Sequence, residues 1–200
     1  MQPSMLAARA AAPTLFFALT LVPVAGIHAS DKVLDGCYVP LSGYAESTSL
    51  APRGQPQVGD EQLGTYRVVL TRDGWKDLSG REKSRTLKRL VLDGPFRGVI
   101  TGFNVFSPEI FVPVLSHALG TNTRTGFIET RDDDVVPLGI DECELGVLET
   151  LNIAGGTGDY IDVVLGSTLT VRGTVNACTG LNDFEVVSDQ GEICFEAPQP

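Results

Sequence analysis

Between Leu148 and Cys194 the sequence alternates residue by residue between apolar and small or polar side chains, and glycine-rich turns punctuate the run. In a β-strand every second side chain faces the same side, so Leu165, Ser167, Leu169 and Val171 fall on one face and Gly166, Thr168, Thr170 and Arg172 on the other. A chain written this way makes consecutive antiparallel strands with one apolar face, and it must either close on itself or pack that face against a second layer.

Earlier segments carry the same signal. Thr65–Thr71 ends at Arg72-Asp73-Gly74, and Thr86–Leu92 ends at Asp93-Gly94-Pro95. Gly98–Val105, Ile110–Leu119 and Thr125–Arg131 follow, with Pro113 marking the fourth of these runs as an edge or bulged strand. Long amphipathic helix patterns are missing, and Ser79–Leu90, the one stretch of good helix formers, is ambiguous because Leu87, Arg89 and Val91 alternate. About eight short strands separated by turn signals predict an all-β, antiparallel eight-stranded barrel, since consecutive hairpins left open would expose long edges. Residues 40–64 are rich in Pro, Gly, Ser and polar residues without periodicity. They predict a loop-rich N-terminal segment (30–64) ahead of a barrel domain at 65–200.

The first 29 residues stand apart. Arg9 is their only charged residue, an apolar run extends from Ala10 to Ile27, and Ala29 offers a small residue for cleavage, which together predict a secretory signal peptide. A membrane anchor is the competing reading, but Pro13 and Pro23 interrupt the run. An acylated Cys37 would lie too far beyond the apolar run, behind Asp31, Lys32 and Asp35. A secreted or periplasmic location, with no stable membrane insertion after cleavage, is therefore expected.

All four cysteines, Cys37, Cys143, Cys178 and Cys194, lie beyond that segment, and an even count in an exported chain predicts disulfides. Three pairings are possible; Cys178 with Cys194 is favoured because the two flank a predicted hairpin, which leaves Cys37 with Cys143. Closing loops of this size stabilises a fold by about 3 kcal/mol.

Charge is unevenly placed. From Asp141 to Pro200 there are eleven acidic residues and one basic residue, Arg172, which argues against nucleic acid or anionic membranes as partners. The basic stretch from Lys76 to Arg89 is diluted by Asp77 and Glu82 and has no interleaved aromatics, as expected of a solvated loop or strand edge.

At Gly155-Gly156-Thr157-Gly158-Asp159-Tyr160 the chain resembles the turn of plant dirigent proteins and allene oxide cyclases, where a strand ends in GGTG or GGSG before an aromatic. Ser116–Asp133, SHALGTNTRTGFIETRDD, is similar to a hairpin of secreted bacterial proteins of this barrel class. Val171–Asn176, Thr179-Gly180 and the Gly191–Cys194 ending resemble the strands that follow it. The resemblance covers roughly residues 116–195. It implies a calycin-type, allene-oxide-cyclase-like barrel whose interior holds an apolar ligand, and it carries over no catalytic residue.

Glycines 155, 156 and 158 suit a structural turn, through positive φ and close backbone approach. A phosphate loop needs a following helix and Lys-Ser/Thr, and a calcium nonapeptide needs an Asp where Tyr160 stands, so neither fits.

His117 is the single histidine after the signal segment. It is a candidate general base with Asp132 or Glu129, against the alternative of a histidine satisfied at a strand end. Asp132, Asp133 and Asp134, followed by Asp141, Glu142 and Glu144, match no EF-hand spacing and predict solvated loop acids with no metal site. No Gly-x-Ser-x-Gly elbow is present.

The expectation that follows is an exported barrel that binds or orients a small apolar ligand, either as a binder or as an isomerase or cyclase working without a cofactor by positioning and water exclusion. The competing expectation is a non-catalytic interaction protein whose barrel is filled by its own side chains. A cyclase requires an acid of perturbed pKa beside the cavity; a binder requires mostly apolar walls.

Overall fold

The computed structural model describes residues 32–50, 56–107 and 110–197. The expected signal segment and its cleavage point lie outside these residues. Nine strands form one antiparallel sheet: β1 (Gly36–Ser49), β2 (Glu61–Arg72), β3 (Arg89–Ser107), β4 (Ile110–Gly120), β5 (Phe127–Thr130), β6 (Asp134–Ile140), β7 (Glu144–Gly156), β8 (Thr168–Asn176) and β9 (Leu181–Phe195). The order β5-β4-β3-β2-β1-β9-β8-β7-β6 is made ring-like by an additional β5–β7 pairing.

β5 and β6 share β7 end to end: Ile128 to Thr130 oppose Gly156 to Ile153, whereas Asp134 to Ile140 oppose Thr150 to Leu145. On the other side β5 pairs β4 at Ala118–Gly120. β6 has no ladder with β4; only an isolated Leu115–Asp133 bridge lies between them. The sheet is thus closed at one end of this seam and open at the other. Both flanking strands carry a proline there, Pro113 and Pro137, a residue tolerated where no ladder needs its N–H.

The period-two pattern placed Ser167, Leu169 and Val171 inward, as they are, but Leu165 lies exposed in the turn before β8 and Thr170, assigned to the opposite face, is buried as well. On β2 Tyr66, Val68 and Leu70 are buried, on β3 Leu90, Leu92 and Phe96, and on β7 Val147, Leu151 and Ile153. All of these but Val147 share one cluster with Tyr38, Ile128, Leu169 and Ile193, while Val147 packs in a second cluster with Val171 and Phe184.

Several expectations are corrected. The expected loop at 40–64 is largely strand where it is described: 40–49 belong to β1, which is bonded to β2 and β9 on its two sides, and β2 begins at Glu61, while 51–55 lie outside the described residues. Past Tyr38 and Pro40 the inward positions of β1 are small or polar, as Ala45 and Ser47 are, so that part of the strand lacks apolar alternation. The expected turn at Asp93-Gly94-Pro95 does not exist; β3 runs straight through it and absorbs the separately expected strand from Gly98. The ambiguous segment folds as a six-residue helix, α1 (Gly80–Arg85), fixed by a capping box in which Ser79 and Glu82 bond each other's backbone N–H.

At the GGTG turn, Gly158 has φ +59°, but Gly156 has no such conformation; it is required because a Cβ there would collide with the Tyr160 carbonyl. Asp159 anchors the turn by accepting from the Thr125 N–H at 2.9 Å. Tyr160 is fully buried and donates to Thr121 at 3.2 Å.

Both disulfides form, with a pairing other than the expected one. Cys37 joins Cys194 and Cys143 joins Cys178. Cys37 and Cys194 are direct neighbours in the β1–β9 ladder, the pairing of first strand with last that local hairpin reasoning misses. Cys143 and Cys178 clasp the β6–β7 and β8–β9 turns. Two disulfides fit an oxidising compartment, and among the described residues no helix is long and apolar enough to cross a membrane.

The sequence separations are 157 and 35 residues, so loop-closure entropy makes the first bridge the stronger constraint by about 1 kcal/mol. Non-reducing peptide maps should link Cys37 to Cys194. The Cys37→Ala/Cys194→Ala protein should melt lower than Cys143→Ala/Cys178→Ala; equal or reversed melting temperatures would contradict the assignment of the closing role to the first bridge.

Candidate functional site

A belt of polar side chains crosses the interior. Ser47 on β1, Gln62 on β2, His117 on β4, Glu149 on β7 and Asn182 on β9 are all buried, at positions where the alternation otherwise places apolar residues. Glu149 sits in phase with Val147 and Leu151, and Asn182 in phase with Phe184.

The belt is wired in one direction. Asn182 Nδ2 approaches Ser47 Oγ, Ser49 Oγ and Gln62 Oε1 at 3.1, 3.2 and 3.2 Å. Ser47 donates to Gln62 Oε1 at 3.0 Å. With its oxygen engaged, the Gln62 amide turns its N–H to His117 Nε2, 3.0 Å away. His117 Nδ1 then carries a proton and donates to Asp133 Oδ2 at 2.7 Å. Gln62 and His117 meet by reaching across β3 at Gly98, which pairs with both; a Cβ at Gly98 would stand 2.7 Å from each of their terminal nitrogens. No side chain but hydrogen leaves that passage open.

Asp133 is the most densely bonded of these groups and is fully buried. Thr130 donates to Oδ2 at 2.5 Å, the Asn152 N–H donates to Oδ1 at 2.7 Å, and the Asp133 N–H donates to the Leu115 carbonyl at 2.8 Å. The sequence expectation paired His117 with Asp132 or Glu129. Asp132 instead adopts φ +52°, is exposed, and offers only its carbonyl, to Asn152 Nδ2; Glu129 is exposed as well. The left-handed turn at Asp132 is what rotates Asp133 inward. His117 itself lies within β4 facing the interior and not at a strand end.

Glu149 completes the group. Its Oε1 stands 3.9 Å from His117 Nδ1, beyond hydrogen-bond reach, and has no hydrogen-bond partner. Burial pushes its carboxyl up to about 7, His117 opposes this, and the Asp133 charge adds to it. For His117 burial acts downward, but the hydrogen bond to Asp133 and the charges of Glu149 and Asp133 outweigh it and hold the imidazole above its ordinary range. His117, Asp133 and Glu149 bring ligand-type atoms within 4.8 Å of one another. Because Asp133 already takes the Nδ1 proton, the arrangement is a hydrogen-bonded dyad beside an unpartnered acid.

Three cavities reach the belt: an open groove of about 1070 Å³ past Ser47 and Asn182, and two that have Glu149 on the wall. A small one of about 40 Å³ lies among Tyr66, Phe96, Leu151 and Leu169, with His117, Gln62 and Glu149 on its wall. A larger one of about 560 Å³ runs along the open seam among Ile100, Pro113, Leu115, Val135, Leu145 and Val147, with Gln62, Glu149 and Asn182 also on its wall. Of these two the first has room for little more than water, while the second falls in the size range of small-molecule sites. Glycines 155, 156 and 158 line neither.

Comparisons with protein-family models, with curated proteins and with solved structures found no match for this chain.

The pH dependence of stability has a definite sign. Glu149 ionises near 4.5 when unfolded and near 7 when folded, so between those values the folded chain holds the proton more tightly and stability falls as pH rises. His117 acts in the same direction: raised above 6.5, it contributes stability that is complete below 6.5 and lost as pH rises through its folded value. The melting temperature should therefore drop by several degrees from pH 5 to pH 8, and Glu149→Gln should remove most of the drop. A variant as steep as the wild type would assign the titration elsewhere.

Asp133→Ala removes the acceptor of three buried donors, His117 Nδ1, Thr130 Oγ1 and the Asn152 N–H. The expected loss is about 3–5 kcal/mol by denaturant titration. A loss below ~1 kcal/mol would show that the clasp is dispensable.

Proposed function

We propose that the protein is a lumen-binding β-barrel that takes a small, largely apolar molecule into the seam cavity and orients it against Glu149. If it turns that molecule over, it does so as an isomerase or cyclase that needs no cofactor. The observation carrying this reading is an apolar cavity of about 560 Å³ with a buried acid on its wall whose pKa lies near 7.

The barrel reading has its own support. Counted as one interrupted stave, β5 and β6 make eight staves around the ring, in keeping with a calycin-type barrel. The GGTG turn and its buried tyrosine keep the allene-oxide-cyclase-like and dirigent-like reading in view. An exported location is part of the proposal and is supported by the two disulfides.

The division of labour in the site follows from its bonds. Both ring nitrogens of His117 are engaged, so the imidazole cannot reach a ligand; with Asp133 it fixes the field in which Glu149 titrates. Glu149 has an unengaged oxygen and a pKa that lets it hold or release a proton near neutral pH, which makes it the group for proton transfer. Water exclusion by the apolar walls strengthens any charge it develops. The competing reading, a filled barrel with no ligand, suits only the inner half, where about 40 Å³ is left.

Leu145 lines the seam cavity. Wild-type protein should bind the neutral dye Nile red saturably, and Leu145→Trp should weaken binding about tenfold or more while leaving the β-rich circular dichroism unchanged. Native mass spectrometry of protein purified from its producing cells should show a co-purified small molecule. No dye binding and no retained molecule would remove the lumen-binding reading.

A further inference from the structure

The seam cavity has a polarity that narrows its occupant. Two residues on its wall, Glu149 and Asn182, each carry a buried side-chain acceptor with no partner among the described residues, Oε1 and Oδ1 respectively. The residues are 3 % and 5 % exposed, so water does not readily serve these atoms. Asn182's orientation is fixed, because its Nδ2 faces three oxygens and leaves Oδ1 as the atom without a partner. Gln62, also on the wall, has both ends of its amide engaged. The other unpartnered buried side-chain atoms, on Tyr38, Tyr66, Arg72 and Asp93, lie on residues away from this wall.

The charges agree. Among the described residues no lysine or arginine lines the cavity, whereas Asp60, Glu61 and Glu149 do. Arg97, the cation nearest in the bonding pattern, is held by Glu61 on the outer surface. A carboxylate or phosphate entering this cavity would meet acceptors and like charge, and would be rejected. A group with N–H donors and a positive charge is matched by the Glu149 carboxylate on this wall.

We propose that the ligand of the seam cavity is an organic amine: a protonated primary or secondary ammonium on an apolar body, its N–H groups donating to the Glu149 carboxylate while the body lies against Leu115, Val135 and Leu145. This rests on the lumen-binding reading and adds the chemical class of the ligand. An excess of acidic residues over the whole chain, with a net charge of −10, draws such cations toward it and repels anions.

Three probes of one shape test the proposal by calorimetry at pH 8: 2-phenylethylamine, 2-phenylethanol and 3-phenylpropanoate. The amine should bind at least about tenfold tighter than the alcohol, and the acid weakest of the three. Glu149→Gln, nearly the same in shape, should bring amine and alcohol within about threefold of each other, with alcohol binding retained. Glu149→Leu serves the same purpose should the glutamine variant fold poorly. Leu145→Trp should weaken all three probes. If the alcohol or the acid binds as tightly as the amine, the amine proposal fails and the lumen reading stands, supported by Nile red. If amine binding is indifferent to both Glu149→Gln and Leu145→Trp, the cation sits on the acidic surface and the proposal is overturned. If neither Nile red nor any probe binds, both readings fall together.

Discussion

The carboxyl group of Asp133 is where the architecture and the chemistry depend on each other. It sits at the interruption between β5 and β6 and receives hydrogen bonds from His117 on β4, Thr130 at the end of β5 and the Asn152 N–H on β7. Those three elements meet where the ring changes from paired to open. A buried carboxyl with that many donors fixes distances that ordinary ladder bonds would have fixed, had the strand continued. Breaking the stave at Arg131–Asp133 thus replaces sheet hydrogen bonds with a side-chain clasp, and the clasp orients the histidine.

Once Asp133 holds Nδ1, the rest of the belt has a defined sense. The imidazole accepts at Nε2, Gln62 must present its amide nitrogen, and Gln62's oxygen collects Ser47 and Asn182. Each step is forced by the previous one because no group in the series has a spare partner of the wrong kind. The order runs from the seam to β9, through a passage that Gly98 keeps clear. Glu149 is left out of it. A buried acid left out of that network, beside a second acid that already holds the local donors, keeps its proton to a higher pH than an exposed one would.

Much of the sheet was legible in the alternation, because half-buried strands leave a period of two wherever one face is apolar. β2, β7 and β8 read correctly for that reason. β1 did not, since its interior face carries Ser47, and its pairing with β9 joins residues far apart in sequence. The disulfide pairing was hidden by the same topology. Asp133 was present in the sequence as the middle of three aspartates, and only the positive φ at Asp132 separates the buried acid from its exposed neighbours. Glu149 had a signal that composition masked: in V-L-E-T-L-N-I it occupies the apolar phase shared by Val147, Leu151 and Ile153. An acid in phase with core residues is a stronger pointer than an acid in a cluster, because burial without a partner costs free energy that only a task or a ligand offsets.

The position of the empty space follows from the same break. Where β4 and β5 are paired, side chains from facing strands interdigitate and leave about 40 Å³; where β4 and β6 are unpaired, about 560 Å³ remains. Pro113 and Pro137 remove N–H donors on the two strands that border that opening, which makes it a poor template for another strand. Sealing the seam with ladder bonds would bring β4 and β6 to the ordinary inter-strand spacing of about 4.8 Å and close the space in front of Glu149. The interruption that requires Asp133 as a clasp is therefore also what gives the unpartnered acid a cavity to face.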